Sequence, residues 1–204
     1  MTARYSLSFI FIVFALLPAA CSPAAAAPTA DVPTAVVEVP SPTPTLVPTA
    51  VPLSFTPATY RAEAEGFELD YPSDWTAVPI SVVGSRGSSG AVYSPGTTAE
   101  MLVAGGSRVG ITVYSWDPKN DLATYVTHRK TAWDGGGFRL LGESSGDLAD
   151  GRKYMSVVVQ ASDDKQAFFL FTTLGEQYLE VSGEGNLALV EEIAHTVRPL
   201  GFKP

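Results

Sequence analysis

Side chains capable of covalent or acid–base chemistry are few in this sequence. It contains one cysteine, Cys21, and two histidines, His128 and His195. A lone cysteine has no partner for an intrachain disulfide, so its thiol is free, paired with another chain or modified. Nucleophilic hydrolysis needs a base beside an activated nucleophile, and neither histidine is accompanied by a G-x-S-x-G turn. The sequence therefore predicts no catalytic residue, no cofactor and no metal site.

Both histidines fall in segments with helical spacing of apolar residues. His128 stands beside Arg129 and Lys130, and three basic residues in a row are typical of a solvated helix face. His195 comes near the end of the last helical segment, where a cation complements the helix dipole. We interpret both histidines as solvated helical residues rather than as bases or ligands.

Two further groupings resemble ligand sites only in part. Gly84–Gly90 is rich in glycine, but it lacks the Gly-Lys-Ser/Thr ending of a phosphate loop and the strand–helix context of a dinucleotide site. Asp147, Asp150, Asp163 and Asp164 offer oxygen donors of the kind calcium prefers, without the spacing of an EF-hand loop. We therefore predict a flexible loop at Gly84–Gly90 and turns at the aspartates.

Three aromatic residues are candidates for a binding patch. Tyr114 and Trp116 end an alternating strand, and Trp133 lies in the following helical segment. Exposed together, they would form an aromatic surface for a partner. Because aromatic side chains bury large areas, the alternative of core or sheet-covering roles is the one we predict.

The residues before Cys21 have the pattern of a secretory signal. Arg4 supplies a basic start, Leu7–Leu17 is apolar apart from Ser8, and small residues follow. A membrane-spanning helix needs about 20 apolar residues, and this run is shorter. We therefore predict a signal peptide over residues 1–20 and an extracytoplasmic location.

The segment Leu16–Ser22 resembles the lipobox of bacterial lipoproteins, in which small residues precede a cysteine that receives a diacylglyceryl thioether. It departs from that pattern at Pro18, where the family usually has an aliphatic residue. The resemblance implies lipid attachment at Cys21 and anchoring to the bacterial cell membrane. Cleavage within Ala24–Ala27, which would remove the cysteine, is the alternative.

The chain that follows Cys21 has the composition of a spacer. From Ser22 to Pro57 it contains nine prolines, two acidic residues, no basic residue and one aromatic residue, Phe55. Prolines at such density prevent a continuous helix and remove ladder donors from strands. We predict an extended, disordered linker over residues 21–57.

Residues 58–204 have the length and composition of one folded domain, which needs neither disulfide nor metal for stability. The net charge of −8 opposes binding to nucleic acid phosphates. We therefore predict a monomeric domain that binds no nucleic acid.

Period-two alternation predicts a series of strands in this domain. The predicted strands are Phe67–Tyr71, Thr76–Ile80, Ala91–Ser94, Val109–Ser115, Phe138–Ser145, Arg152–Gln160, Gln166–Thr173 and Gln177–Ser182. Helical spacing predicts a first helix with Asp117 as N-cap and Pro118 at its first position, stopped by Gly135–Gly137. A second helix begins after Asn186. This order predicts an α+β fold.

The opening segment Gly66–Trp75, with Phe67, Tyr71 and Trp75 as its aromatics, resembles the start of PsbP-like domains. The order of the later segments agrees, including Ala167–Phe171 and Glu191–Arg198. The resemblance implies an α/β/α sandwich with a central, mainly antiparallel sheet. Known members are accessory or binding subunits, among them an extrinsic photosystem subunit and a Ran-binding import factor of the Mog type. No residue here matches a photosystem, GTPase or metal contact of that family.

Taken together, these patterns indicate a lipid-anchored binding or accessory module for an envelope protein partner, without catalysis. An envelope hydrolase whose site is assembled from residues distant in sequence is the alternative. A mainly structural surface protein is a third possibility. A cleft with convergent polar groups and perturbed pKa values would favour the enzyme, and a broad exposed apolar patch would favour binding.

Overall fold

The computed structural model describes residues 52–83, 87–115, 121–161 and 164–203. The predicted signal peptide, Cys21 and most of the predicted linker lie outside these ranges. In chain order the described elements are β1 (Pro57–Ala62), β2 (Phe67–Pro72), β3 (Thr76–Val83), β4 (Gly87–Tyr93), β5 (Arg108–Ser115), α1 (Leu122–Gly135), β6 (Arg139–Asp147), β7 (Lys153–Gln160), β8 (Gln166–Leu174), β9 (Gln177–Glu184), α2 (Leu187–His195) and β10 (Arg198–Pro199).

The described strands form two antiparallel sheets. The larger has seven strands in the order β3-β4-β5-β9-β8-β7-β6, and the smaller has the order β1-β2-β10. The last four strands of the larger sheet form an antiparallel meander, since β6 pairs with β7, β7 with β8 and β8 with β9. On the side of β5 away from β4, its partner is β9, which is not its neighbour in sequence. The predicted α+β class is therefore confirmed.

Alternation along the strands gives the seven-stranded sheet two different faces. Val109, Ile111 and Val113 of β5 are at most 3% exposed, whereas the residues between them are half-buried. On β8, Phe168 belongs to one cluster of buried side chains and Phe171 to another. Because neighbouring residues of a strand point to opposite faces, these two clusters lie on opposite sides of the sheet.

The main core lies on the face of the sheet that α2 covers. Phe67 and Leu69 of β2 are fully buried there, together with Val190 and Ile193 of α2. Trp75, from the opening segment, is 9% exposed and belongs to the same core. The smaller sheet and α2 thus share one apolar interior with the larger sheet.

Tyr60 joins the two sheets through its side chain. Its ring stacks on Phe67 with centroids 6.4 Å apart. Its hydroxyl donates to the carbonyl oxygen of Val78 in β3, at 3.1 Å. Burial, with a smaller contribution from the charge of Glu65, raises the pKa of Tyr60 to about 12. The phenol therefore stays protonated and keeps its hydrogen bond at any ordinary pH.

The second core lies under α1 and is smaller. Its fully buried members are Val126 of α1, Val157 and Val159 of β7, and Phe171. Trp133 of α1 packs against it as a half-buried residue. Helices therefore cover both faces of the central sheet, which confirms the predicted sandwich arrangement.

The start of α1 differs from the prediction. The N-cap is Asp121, whose Oδ1 accepts the backbone N–H of Thr124 at 2.7 Å. The predicted cap, Asp117, and Pro118 lie outside the described residues and precede this helix. Because Asp121 also precedes the apolar run, the sequence offered two aspartates with the chemistry of an N-cap, and the prediction chose the wrong one. The predicted end is confirmed, since Gly136 caps the helix and Gly137 has a φ of +80°.

The start of α2 agrees with the prediction. Asn186 is its N-cap, and its side chain accepts from the backbone N–H of Leu189. Val190, Ile193 and Ala194 point inward as expected and are fully buried, while Leu189 is half-buried.

The predicted loop at Gly84–Gly90 is shorter in the structure. β3 continues to Val83 and β4 begins at Gly87, which pairs with Tyr114 of β5. Residues 84–86 lie outside the described residues. The glycines and serines of β4 form a strand because β3 and β5 pair with its backbone on both sides. Small side chains are tolerated in a strand that is paired in this way.

Two strands at the ends of the domain were not predicted. β1 begins at Pro57, and β10 is a two-residue strand that pairs with β2. Phe55, which falls in the predicted linker, packs against the main core. Ser54 donates its backbone N–H to the carboxylate of Glu192 on α2, at 2.5 Å. These contacts join the start of the described chain to the folded domain.

Candidate functional site

The second face of the larger sheet is covered by α1 on only one side. Side chains of α1 pack on β6, β7, β8 and β9 and reach the end of β5, and among the described residues part of the face of β4 and β5 beside α1 is open. A groove of about 380 Å³ lies there. We call it the sheet groove and define it by its floor, Ala91, Gly110 and Ser182, and by two aromatic residues at its borders, Tyr93 and Phe169.

The register of four strands builds the floor. Ala91 of β4 pairs with Gly110 of β5, Gly110 pairs with Ser182 of β9, and Ser182 pairs with Phe169 of β8. Directly opposed residues project from the same face, so these four positions form one row across the sheet. The row is flat because three of its members have small side chains or none.

An ion pair crosses the next row of the groove. Arg108 and Glu184 are opposed residues of β5 and β9, and their side chains form a close, half-buried salt bridge. Nη1 of Arg108 also donates to the carbonyl oxygen of Ala99, at 2.5 Å. The guanidinium and the carboxylate neutralise each other, so this part of the groove is polar without carrying a net charge.

Trp133 of α1 supports the aromatic side of the groove. Its ring lies 4.5 Å from that of Phe169, centroid to centroid. The guanidinium of Arg129 lies over the same indole at 5.3 Å from the ring centroid, within cation–π range. Phe169 is thus held from behind by α1 and faces the groove with its remaining surface.

A buried ion pair fixes α1 to the sheet next to the groove. Nη2 of Arg129 lies 3.1 Å from Oε2 of Glu180, whose side chain is 5% exposed. Burial raises the pKa of Glu180, and the positive charge of Arg129 opposes that shift. Burial also raises the pKa of Tyr125, and the Glu180 carboxylate raises it further. Tyr125 stays a neutral phenol, stacked on Tyr178 at 4.1 Å.

Of the three aromatic residues considered for a binding patch, the two that the structure describes do not form an exposed surface. Tyr114 is half-buried and lies 6.1 Å from Tyr125, and Trp133 is half-buried against the second core. Trp116 lies outside the described residues. The sheet-covering interpretation of Tyr114 and Trp133 is therefore confirmed.

Neither histidine lines the sheet groove. His128 is exposed on α1, as predicted. His195 lies in the last turn of α2, where Nδ1 is 2.9 Å from the carbonyl oxygen of Glu191. The His195 ring packs edge-on against Tyr154 at 4.7 Å. Neither imidazole has a nucleophile placed beside it among the described residues.

Among the described residues, the aspartates considered as oxygen donors form hydrogen bonds and ion pairs within the chain. Asp150 accepts from Nε of Arg152 at 2.6 Å and from its backbone N–H at 3.0 Å. Asp147 lies 2.5 Å from Nζ of Lys153. Asp164, in the left-handed region with a φ of +64°, accepts from the side chain of Gln160 at 2.7 Å. Asp163 lies outside the described residues. Asp150 and Asp164 lie in the connections between strands, as predicted, whereas the prediction of a turn is wrong at Asp147, which is the last residue of β6 because it still pairs with Lys153 of β7.

Arg198 pairs with two further carboxylates, those of Asp70 and Glu68. Arg198 of β10 donates to both carboxylate oxygens of Asp70, at 2.8 and 3.0 Å, and to Glu68 at 2.9 Å. The hydrogen bonds from Arg198 to Asp70 raise the pKa of the guanidinium further. This network fastens β10 to β2 and leaves those carboxylates without a free role.

The described ranges contain neither a metal-binding cluster nor a membrane-spanning helix. No three histidine, cysteine or carboxylate side chains in them come together closely enough to hold a metal ion. Neither of their helices is long and apolar enough to cross a membrane. Cys21, the predicted lipid attachment site, lies outside these ranges.

Comparison with known proteins supports the fold. The sequence matches no family model, and no curated relative matches it. The structure resembles cyanobacterial PsbP (CyanoP) from Synechocystis, with a TM-score of 0.54, 16% sequence identity, and coverage of 74% of this chain and 96% of that protein. It also matches the Ran-binding protein Mog1p of Saccharomyces cerevisiae at a TM-score of 0.49 and 9% identity, covering 72% of this chain and 97% of that one. The match to CyanoP shows that the domain has a PsbP-like fold.

The sheet groove was not predicted from the sequence. Its floor combines β4, β5 and β9, whose residues are up to 91 positions apart (Ala91 to Ser182). One signal was present in the sequence: Gly110 interrupts the alternating run from Val109 to Ser115. A glycine inside a strand indicates a bulge or the close approach of a ligand or another backbone.

Proposed function

We propose that this chain is a lipid-anchored extracytoplasmic binding or accessory module that performs no catalysis. Residues 1–20 are its signal peptide, Cys21 carries the lipid, and the proline-rich segment after it forms the linker. The binding domain begins before residue 58, since Ser54 and Phe55 already contact it. The observation that carries the proposal is the open sheet groove on a domain whose described histidines lie outside that groove and whose buried residues Glu180 and Glu68 are paired with arginines.

The groove has the composition of a binding surface rather than of a hydrolytic site. Its one carboxylate, Glu184, is bound to Arg108, and Ser182 has no histidine near it in the strand register. Acid–base catalysis needs a titratable group within hydrogen-bond reach of a reacting atom. The groove offers instead a flat floor with aromatic borders, which suits recognition.

The anchoring part of the proposal is supported by the sequence around Cys21. A thioether-linked diacylglycerol stabilises membrane attachment by about 0.8 kcal/mol per buried CH₂, and two acyl chains make it long-lived. The proline-rich linker would then hold the domain away from the bilayer, within reach of an envelope partner. The acidic domain has no attraction for nucleic acid.

Substitution of the cysteine tests the anchor. We expect Cys21→Ser to move the full-length protein from the detergent-extracted membrane fraction to a soluble or uncleaved form, with loss of acyl labelling. A Ser22→Ala variant is the matched control and keeps the label. Acyl labelling of Cys21→Ser at the wild-type level would remove the anchor from the proposal.

Turnover assays test the absence of catalysis. We expect the purified protein to hydrolyse no ester, peptide, phosphate or glycoside, and its thermal melt to be unchanged by a chelator. The envelope hydrolase is the alternative, and it predicts turnover that His128→Ala or His195→Ala abolishes. Such turnover would show that the protein is a hydrolase rather than a non-catalytic binding module.

A further inference from the structure

We propose that the sheet groove binds an uncharged glycan chain, laid across β4, β5, β9 and β8 beside α1. This inference rests on the proposed function as a binding module and names its ligand class. Three features of the groove carry it: a floor without side-chain bulk, aromatic rings at both borders, and polar groups that bear no net charge.

The floor has room that the sheet does not need for its own packing. β5 is an interior strand, and glycine there weakens it unless something approaches closely. A Cβ added to Gly110 would meet only Ser182, its Oγ at 3.5 Å and its carbonyl oxygen at 4.0 Å, which are ordinary contacts. Among the described residues, the space above Gly110 is therefore open to the groove.

The aromatic borders are spaced for a chain of several sugar rings. Tyr93 and Phe169 lie on β4 and β8, three strand steps apart, or about 14 Å at about 4.8 Å per step. Pyranose rings have an apolar C–H face that packs on an aromatic ring, while their hydroxyls point outward. Phe169 is held in place by Trp133, so it loses little conformational freedom when a ring packs on it.

The polar groups between these rings suit a neutral ligand. Ser89 and Ser182 bring hydroxyls to the groove, and the Arg108–Glu184 pair offers a donor and an acceptor whose charges cancel. The net charge of −8 on the chain opposes polyanions. Hydroxyl and acetamido groups pair with such a surface without leaving a buried charge unpaired.

The length of the depression favours a polymer over a small metabolite. A second hollow, of about 290 Å³, shares Arg108, Ala167 and Glu184 with the groove and continues to Phe138, whose side chain is 38% exposed. Sites for small molecules enclose most of their ligand, and this surface is open along its length. A linear chain that passes through both hollows fits that shape.

The test uses the full-length protein in detergent and chitohexaose, an uncharged β-linked hexamer of N-acetylglucosamine. Binding is measured by isothermal titration calorimetry, and the sugar is recovered for mass spectrometry. We expect saturable binding with the hexamer recovered intact. Gly110→Val should weaken binding by about tenfold or more, because its side chain fills the floor.

Gly142→Val is the matched control. It makes the same substitution in β6, an edge strand of the same sheet, at a position where a Cβ would meet no atom within 4 Å. We expect it to bind chitohexaose within about twofold of wild type. Phe169→Ala should weaken binding, and circular dichroism of all three variants establishes that they are folded.

Each result bears on either the inference or the function. Absence of chitohexaose binding, or binding that Gly110→Val leaves unchanged, would overturn the glycan inference while the proposed function stands. Binding with cleavage of the hexamer would overturn the non-catalytic function instead. Binding of an extended Thr-Val hexapeptide in place of the sugar, lost in Gly110→Val, would overturn the glycan inference and assign the groove to a peptide.

Discussion

The two faces of the seven-stranded sheet are closed to very different extents. On one face, α2 and the smaller sheet seal a core in which Phe67, Leu69 and Ile193 have no exposed surface. On the other, Val126 is the one fully buried residue of α1, and the helix leaves part of the face of β4 and β5 open among the described residues. One sheet thus supplies both the stability of the domain and an open surface beside α1.

The difference between the two faces follows from the kinds of contact that each helix makes with the sheet. α2 lies between strands of both sheets and is apolar along its inward side. α1 is held by aromatic contacts and by the Arg129–Glu180 pair, with threonines and charged residues over the rest of its surface. Stability therefore depends mainly on the α2 face, which leaves the α1 face available for recognition.

Substitution of neighbouring phenylalanines in β8 would test this comparison most strongly. Phe168→Ala should lower the free energy of unfolding by about 3–5 kcal/mol, because it opens a cavity in the main core. Phe169→Ala should cost less than about 2 kcal/mol, since that ring is half-buried and borders the groove. Urea unfolding measures both, and equal losses would contradict the unequal closure of the two faces.

Trp75 tests the rim of the main core, where β2 ends and β3 begins. It is 9% exposed, as the opening motif led us to expect, and Trp75→Ala should cost about 3 kcal/mol. Thermal unfolding at several protein concentrations measures the loss. A loss under about 1 kcal/mol would show that this part of the core is less important than its burial indicates.

Glu180 tests the polar contact under α1. Because burial raises the folded-state pKa of this carboxyl, it favours folding when protonated and loses that advantage as pH rises through the raised pKa. Glu180→Gln resembles the protonated form, so it should match wild type at acid pH and be more stable at neutral pH. Unfolding measured across this range checks the sign, and a variant less stable than wild type at neutral pH would show that the Arg129 pair outweighs desolvation.

The smallest effect is expected at the outer edge of α1. Nζ of Lys130 lies 2.6 Å from Oε1 of Glu143 on β6, and both side chains are about one-third exposed. Lys130→Ala should change the free energy of unfolding by no more than about 1 kcal/mol, and added salt should reduce the difference. A larger, salt-independent loss would mean that α1 is fastened to the sheet at its edge rather than at Glu180.

Errors in the prediction of the fold came from positions where local chemistry was ambiguous. Asp117 and Asp121 both satisfy the preferences of an N-cap, and only the backbone position of Thr124 distinguishes them. Gly87–Gly90 has the composition of a loop, but pairing with β5 makes it a strand. β10 has two residues, too few to show any periodicity.

The candidate site was less predictable than the fold. The sequence predicted sheet-covering roles for Tyr114 and Trp133, which the structure confirms, but it did not identify the residues that line the groove. Gly110 could be recognised in the sequence as a glycine inside an alternating strand. The sequence did not indicate which residues of the neighbouring strands lie beside it. Charge balance in the groove depends on Arg108 meeting Glu184, which are 76 positions apart.

The sequence by itself determined the features that depend on near neighbours. Alternation defined most strands, the glycines at 135–137 ended α1, and Asn186 began α2, because these signals act over a few residues. The tertiary structure alone decided which residues share a surface. Ala91, Gly110 and Ser182 form one floor because three distant strands pair in a particular register, and a shift of one residue would turn each side chain to the other face.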